Sequence, residues 1–212
     1  MNNKKIAVAA VAGILITLIS GTTLAAKTVF AAERISITNE EQSATLQEHA
    51  QIEVLSVYKN EKYRDTGCTV ILPEGYIADS EIKGMYVSER NPIDSSNIYY
   101  SVVENVGAED LKEAMDAEAY KRKAERKFKE VYGADAKITS YRFKTVEIDG
   151  CPAYEIKLSC SVQGVTLEQL IYIITADQIY TITYSQASDD ERMKEFEKSA
   201  ETIRIVFEGE QE

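Results

Sequence analysis

Apolar and polar residues alternate between positions 153 and 185, and this alternation predicts three consecutive β-strands. The second strand, Leu170 to Thr175, is apolar on both parities, which is typical of a strand covered on both faces. The third alternates over Tyr180 to Ser185. Because connections this short join only antiparallel neighbours, the pattern predicts a meander at the centre of a sheet. The apolar positions of the first strand are Tyr154, Ile156, Leu158, Cys160 and Val162.

Further strands are predicted on the amino-terminal side of the meander. In the last of them the apolar parity shifts near Lys144, which indicates a β-bulge. Asp149-Gly150 then forms a hairpin signal that leads into the meander. These strands are Cys68 to Leu72, Met85 to Ser88, Ile98 to Glu104 and Thr139 to Ile148.

Apolar spacings of three and four residues predict two helices in the domain. The first is Glu109 to Tyr132, which starts with a cluster of acids and stops at Gly133. The second follows a capping box formed by Ser188 and Glu191. Its apolar positions should lie on the sheet: Met193, Phe196, Ala200 and Ile203.

The amino terminus has the layout of a secretory signal peptide over residues 1–31. Lys4 and Lys5 precede an uncharged, mostly apolar run, Ile6 to Ile19, and small residues follow. The alternative is an uncleaved membrane anchor, since Ile6 to Ala26 is just long enough to span a bilayer. Either reading predicts an extracytoplasmic protein, secreted or tethered by its amino terminus.

A linker is predicted over residues 32–60, followed by one domain over 61–208 and a tail over 209–212. Thr38 with Glu41 fits a capping box, and apolar spacing favours a helix over residues 39–58. A disordered tether is the alternative, because Gln, Glu and Ser are frequent there.

Charge and motifs exclude several classes of function. Without residues 1–31, which hold three lysines and no acid, 21 bases face 35 acids, a net charge of −14 that would repel nucleic acid. His49 is the only histidine and lies in the predicted linker, so no His-based catalytic or metal site is expected. Glycine-rich phosphate loops and calcium loops do not occur. We therefore predict no catalytic residues, no metal and no cofactor, although a carboxylate pair stays open.

The three cysteines allow two interpretations. Cys160 shares the apolar parity of its strand and is expected to be a small core residue. Cys68 and Cys151 could form a disulfide, as exported cysteines often do. The alternative is three reduced thiols.

Several segments make this chain resemble the PsbP-like fold family, over about residues 66 to 207. That family includes the photosystem II extrinsic protein PsbP, a Ran-binding relative and bacterial secreted proteins of unknown role. The resemblance implies an α+β fold, a central antiparallel β-sheet with packed helices in an α/β/α sandwich, and a non-catalytic scaffolding or binding role. The segments are Val70 to Tyr76, Ser96 to Val102, Ile148 to Tyr154, Ile179 to Tyr184 and Phe196 to Ala200.

The leading hypothesis is a non-catalytic extracytoplasmic module of the bacterial cell envelope that binds a protein or an envelope polymer. The alternatives are a carrier of a small apolar ligand between sheet and helices, and a hydrolase with a carboxylate pair. Membrane contact is expected only through an uncleaved amino terminus.

Six bases cluster in the second half of the first predicted helix. Because they cannot all share one face, they surround the side that Ala124 and Phe128 do not occupy. The simplest interpretation is a solvated surface that complements the helix dipole. The functional alternative is contact with an anionic partner through Lys123, Arg126 and Lys127.

Overall fold

The computed structural model describes residues 51–55, 66–104, 116–162 and 164–207. They form ten strands, two α-helices and one short 3-10 helix. The strands are β1 (Gln51–Leu55), β2 (Thr66–Ile71), β3 (Tyr76–Ala78), β4 (Met85–Ser88), β5 (Asn97–Glu104), β6 (Lys137–Ile148), β7 (Cys151–Val162), β8 (Val165–Thr175), β9 (Gln178–Ala187) and β10 (Arg204–Phe207). The helices are α1 (Ala117–Tyr132), the 3-10 helix Ser188–Asp190 and α2 (Met193–Ala200).

Seven strands form one antiparallel sheet in the order β3-β4-β5-β9-β8-β7-β6. The predicted meander is confirmed as β7, β8 and β9, which are consecutive neighbours with short connections. The predicted hairpin is also confirmed. Asp149 and Gly150 have φ values of 49° and 81°, the left-handed pair that a tight turn between twisted strands requires.

The bulge in β6 lies earlier than the sequence indicated. The register between β6 and β7 shifts between Ile138 and Ser140 and is regular through Lys144. The parity change near Lys144 instead reflects the two cores. Tyr141 and Phe143 pack toward the α1 side of the sheet, whereas Val146 and Ile148 pack toward the other side.

Three strands form a second, smaller sheet in the order β1-β2-β10. β1 corrects the prediction of a helix over residues 39–58, whose remaining positions lie outside the described residues. Ile52 and Val54 alternate with Gln51 and Glu53, and β2 provides a partner, so this segment forms a strand despite the helical spacing of its apolar residues. β10 was not predicted. The chain leaves α2 after Ala200, and Ile205 pairs with Cys68.

Both faces of the large sheet are buried, which gives the layered α+β fold that was predicted. One core lies between the sheet and α1 and contains Phe128 and Ile156. The other lies between the sheet, α2 and the small sheet, and contains Tyr184 and Phe196. The second outer layer is therefore a helix together with three strands.

The two described helices differ from the prediction at their amino-terminal ends. α1 starts at Ala117, because Asp116 has an extended ψ of 130° and its carboxylate accepts a hydrogen bond from the Ala119 amide at 2.8 Å. Residues 105–115 lie outside the described residues. The proposed capping box of Ser188 and Glu191 is wrong, since Ser188 starts the 3-10 helix and α2 begins at Met193 without a side-chain cap.

Candidate functional site

Helix α1 carries the six bases that were singled out as a possible contact for anions. Its buried face consists of Tyr120, Ala124 and Phe128, at successive spacings of four. The hydroxyl of Tyr141 on β6 donates to the Ala117 carbonyl at 2.8 Å, and the ammonium of Lys121 lies 5.8 Å from the centre of the Tyr141 ring. These contacts fix the rotation of α1 on the sheet, and hence which bases face outward.

The structure brings two of the three predicted anion-contact residues together on an acid of the same helix. Lys127 Nζ donates to Glu130 Oε2 at 2.7 Å, and Arg126 Nε lies 3.8 Å from Glu130 Oε1. The hydrogen bond from Lys127, with the charges of both bases, lowers the pKa of Glu130. Lys123 is half-buried. Any anionic ligand must therefore compete with Glu130 at this side of the helix.

A different set of bases lies directly opposite the buried face. Arg122, Arg126 and Lys129 are exposed at positions i, i+4 and i+7, and we call them the α1 ridge. They line a shallow, open depression together with Glu125, Glu130 and Ala134. Helical spacing alone would have distinguished the ridge from Lys123 and Lys127 if Tyr120 had been counted with Ala124 and Phe128 as part of the buried face.

The three ridge bases differ in how they are paired with nearby acids. Lys129 Nζ lies 3.3 Å from Glu125 Oε1, and Arg126 shares Glu130 with Lys127. Arg122 makes no ion pair within the described residues. The guanidinium of Arg122 is therefore the ridge cation with the least internal competition for an anion.

A second polar cluster surrounds the buried carboxylate of Asp94, at the opposite end of the sheet from the Asp149-Gly150 turn. Asp94 Oδ2 accepts hydrogen bonds from Arg192 Nε at 2.9 Å and Ser88 Oγ at 3.1 Å. Asp94 Oδ1 accepts from the Ser96 amide at 3.0 Å and from the Ser96 hydroxyl. Arg192 Nη1 also donates to Glu195 Oε2 at 2.7 Å.

The electrostatics of this cluster favour a structural role. Burial alone would raise the pKa of Asp94, but the hydrogen bonds from Ser96, Arg192 and Ser88 outweigh burial and lower it. A carboxylate saturated with donors and held ionised is a poor general base. The cluster therefore fastens the segment before β5 to the segment before α2.

Comparison with solved structures identifies the architecture. The solution structure of cyanobacterial PsbP (CyanoP) from Synechocystis sp. PCC 6803 superposes with a TM-score of 0.52 at 14% identity, covering 78% of this chain and 98% of that one. The chain has a PsbP-like fold. The resemblance inferred from the sequence is thus confirmed at the level of the fold.

Other bacterial proteins superpose on this PsbP-like domain less closely. LpqN of Mycobacterium tuberculosis, which is involved in cell envelope biogenesis, has a TM-score of 0.41 at 12% identity, covering 74% of this chain and 90% of that one. A Pseudomonas aeruginosa protein of unknown function has a TM-score of 0.38 at 13% identity, with coverages of 75% and 92%. No protein-family profile and no curated protein sequence matches the chain.

Carboxylate chemistry finds no support in the described part of the PsbP-like domain. Two described carboxyl groups, Asp94 and Glu130, have shifted pKa values, and both shifts are downward rather than toward a general acid. Within these residues no three His, Cys, Asp or Glu side chains cluster as metal ligands. None of the described helices has the length and hydrophobicity of a membrane span. His49 lies outside the described residues.

All three cysteines are free, buried thiols. The alternative of three reduced thiols is therefore the one that the structure shows, rather than a Cys68–Cys151 disulfide. Burial raises the pKa of Cys68 to about 12 and that of Cys160 to about 11, and it also raises the pKa of Cys151. Since the thiolate is the reactive form, these side chains serve packing.

Proposed function

We propose that this protein is a non-catalytic, extracytoplasmic binding module of the bacterial cell envelope, and that the α1 ridge is its contact for a phosphate-bearing partner. The observation that carries the proposal is the alignment of Arg122, Arg126 and Lys129 opposite the buried face of α1. Phosphate groups of an envelope polymer or of lipid headgroups supply the charge that this row can pair with.

The overall negative charge of the protein makes the row of bases on α1 a notable exception. The chain beyond residue 31 has a net charge of −14 and repels anions at long range, so a cationic ridge must act locally. Arginine suits this task, because its planar guanidinium binds phosphate oxygens in pairs. Along α1 the three ridge residues span about 10 Å, enough to contact more than one phosphate of a chain or surface.

Binding to phosphate is tested with two probes, phosphatidylglycerol vesicles and soluble polyphosphate. We expect the wild-type protein to bind at about 10 mM salt, where the Debye length is about 30 Å, and to lose binding by about 0.5 M salt. Vesicle binding without polyphosphate binding would assign the contact to a membrane surface, and the reverse result would assign it to a polymer.

Replacing Arg122, Arg126 and Lys129 together with Gln should abolish this binding while leaving thermal stability nearly unchanged. The triple variant Lys123→Gln/Arg126→Gln/Lys127→Gln should weaken binding less, since two of its positions lie beside the ridge. An Arg90→Gln/Lys194→Gln/Lys198→Gln variant removes the same charge from exposed sites elsewhere and should bind like wild type. Equal losses in all three variants, or no binding by wild type at low salt, would contradict the proposal.

Export is a separate expectation and needs its own measurement. Mass spectrometry of the protein from its native host should find a new amino terminus between Ala26 and Glu33, because signal peptidase cleaves after the small residues there. An intact Met1 on a membrane-bound protein would indicate the anchor instead. An intact Met1 on a cytoplasmic protein would rule out an envelope role.

A further inference from the structure

Within the described residues, the outer edge of β6 has no partner strand, and β6 is unusually long for an edge strand. Among the described strands β6 pairs only with β7, and it contains 12 residues, whereas β3 at the other edge of the sheet has 3. Proteins usually keep edge strands short or cover them, because their unpaired N–H and C=O groups can accept another strand. The β6 edge therefore needs an explanation.

Most of this edge is regular. After the shift between Ile138 and Ser140, β6 stays in register with β7 from Ser140 through Ile148, where Ile148 faces Cys151. Regular antiparallel pairing on one side leaves the N–H and C=O groups of every second residue pointing outward on the other side. A segment of up to nine residues could thus add to β6 as a further antiparallel strand.

The side chains along the edge differ between its two faces. Arg142 and Lys144 are exposed on the α2 side of the sheet. Lys144 Nζ makes a long contact of 3.7 Å with Glu155 Oε1, and Arg142 has no ion-pair partner in the described ranges. Tyr141 and Phe143 are half-buried on the α1 side. The edge thus offers bases on one face and aromatic rings on the other.

We propose that the open edge of β6 binds an extended protein segment in which acidic and apolar residues alternate. Directly opposite residues in an antiparallel pair share one face of the sheet. Acids would then face Arg142 and Lys144, while apolar side chains would face Tyr141 and Phe143. Backbone pairing supplies affinity, and the alternating side chains supply specificity.

A second copy of this chain fits the same edge poorly. In a symmetric antiparallel pair of β6 strands, residues of equal parity meet, so Arg142 and Lys144 would face one another or uncharged neighbours. The acid of this stretch, Glu147, lies on the opposite parity. Like charges at facing positions destabilise such a pair, which favours a partner that brings its own acids.

The purified protein is titrated with a capped nine-residue peptide that alternates valine and glutamate. We expect the amide shifts of β6 to change and its outward amides to gain protection from hydrogen exchange. The matched peptide of valine and glutamine should bind about tenfold more weakly, because two cross-strand ion pairs are lost. Amide shifts that change only outside β6, or equal affinity for both peptides, would overturn the proposal.

A charge-reversed variant provides the decisive control. Arg142→Glu/Lys144→Glu should lose binding to the glutamate peptide and gain binding to a valine–lysine peptide, with an unchanged melting temperature. If neither protein binds any peptide, the two bases serve only to prevent strand pairing at this edge, and the proposal is wrong. If the wild-type protein forms dimers without peptide and Arg142→Glu/Lys144→Glu prevents them, the edge binds a second copy of the chain, and the proposal is overturned.

Discussion

Replacing Phe196 with alanine is expected to lower the free energy of unfolding by about 3–5 kcal/mol, the range for truncating a buried aromatic residue. Phe196 is fully buried on α2, and its ring centre lies 5.2 Å from that of Tyr184 and 5.8 Å from that of Tyr76. The substitution would open a cavity where α2, the sheet and the segment after β2 meet. Urea denaturation at neutral pH measures the loss.

Lys198→Ala is the matched control, because Lys198 lies on the same helix but is exposed. Its expected effect is within about 0.5 kcal/mol of zero. A loss below about 1 kcal/mol for Phe196→Ala would contradict the docking of α2 described above.

Asp94→Asn is expected to destabilise the protein by about 3 kcal/mol at pH 7, the lower end of the range for breaking a buried ion pair. The lower end applies because Arg192 keeps part of its side chain in water and retains its contact with Glu195. Removing that second contact by Glu195→Gln should cost less than about 1 kcal/mol, since Glu195 is exposed.

The effect of Asp94→Asn should also depend on pH. The folded protein lowers the pKa of Asp94, so its contribution is complete above the unfolded value of about 3.9 and is lost as the pH falls through the lower folded value. The difference in unfolding free energy between wild type and Asp94→Asn should therefore be constant from pH 5 to 7 and shrink below about pH 4. A pH-independent difference would mean that Asp94 acts through packing rather than charge.

Local patterns predicted the parts of the fold whose partners are close in sequence. The meander and the Asp149-Gly150 hairpin follow from alternation and turn chemistry, and their strands pair with their immediate neighbours. β1 was misread because its five residues lie in a stretch whose apolar residues also fit helical spacing, and β10 was missed because its partner β2 lies far earlier in the chain. A partner so distant in sequence cannot be identified from the few residues of β10 themselves.

The candidate surfaces, too, were only partly predictable from the sequence. Helical spacing placed six bases on α1, but only the packing of Tyr120, Ala124 and Phe128 selects Arg122, Arg126 and Lys129 as the outward row. The contact between Asp94 and Arg192 joins residues far apart in sequence, and no local pattern contains it. The open edge of β6 depends on the strand order of the whole sheet.

The pairing of β10 with β2 has a consequence for how the chain folds during synthesis. The small sheet joins strands from nearly opposite ends of the domain, and the amide of Ile205 also donates to the Asp149 carboxylate at 2.7 Å. Contacts of such high sequence separation slow folding, because the long intervening loop must close first. The small sheet cannot be completed until β10 has emerged from the ribosome. In the proposed export of this chain, the small sheet would stay unformed in any polypeptide that crosses the membrane before β10 is synthesised.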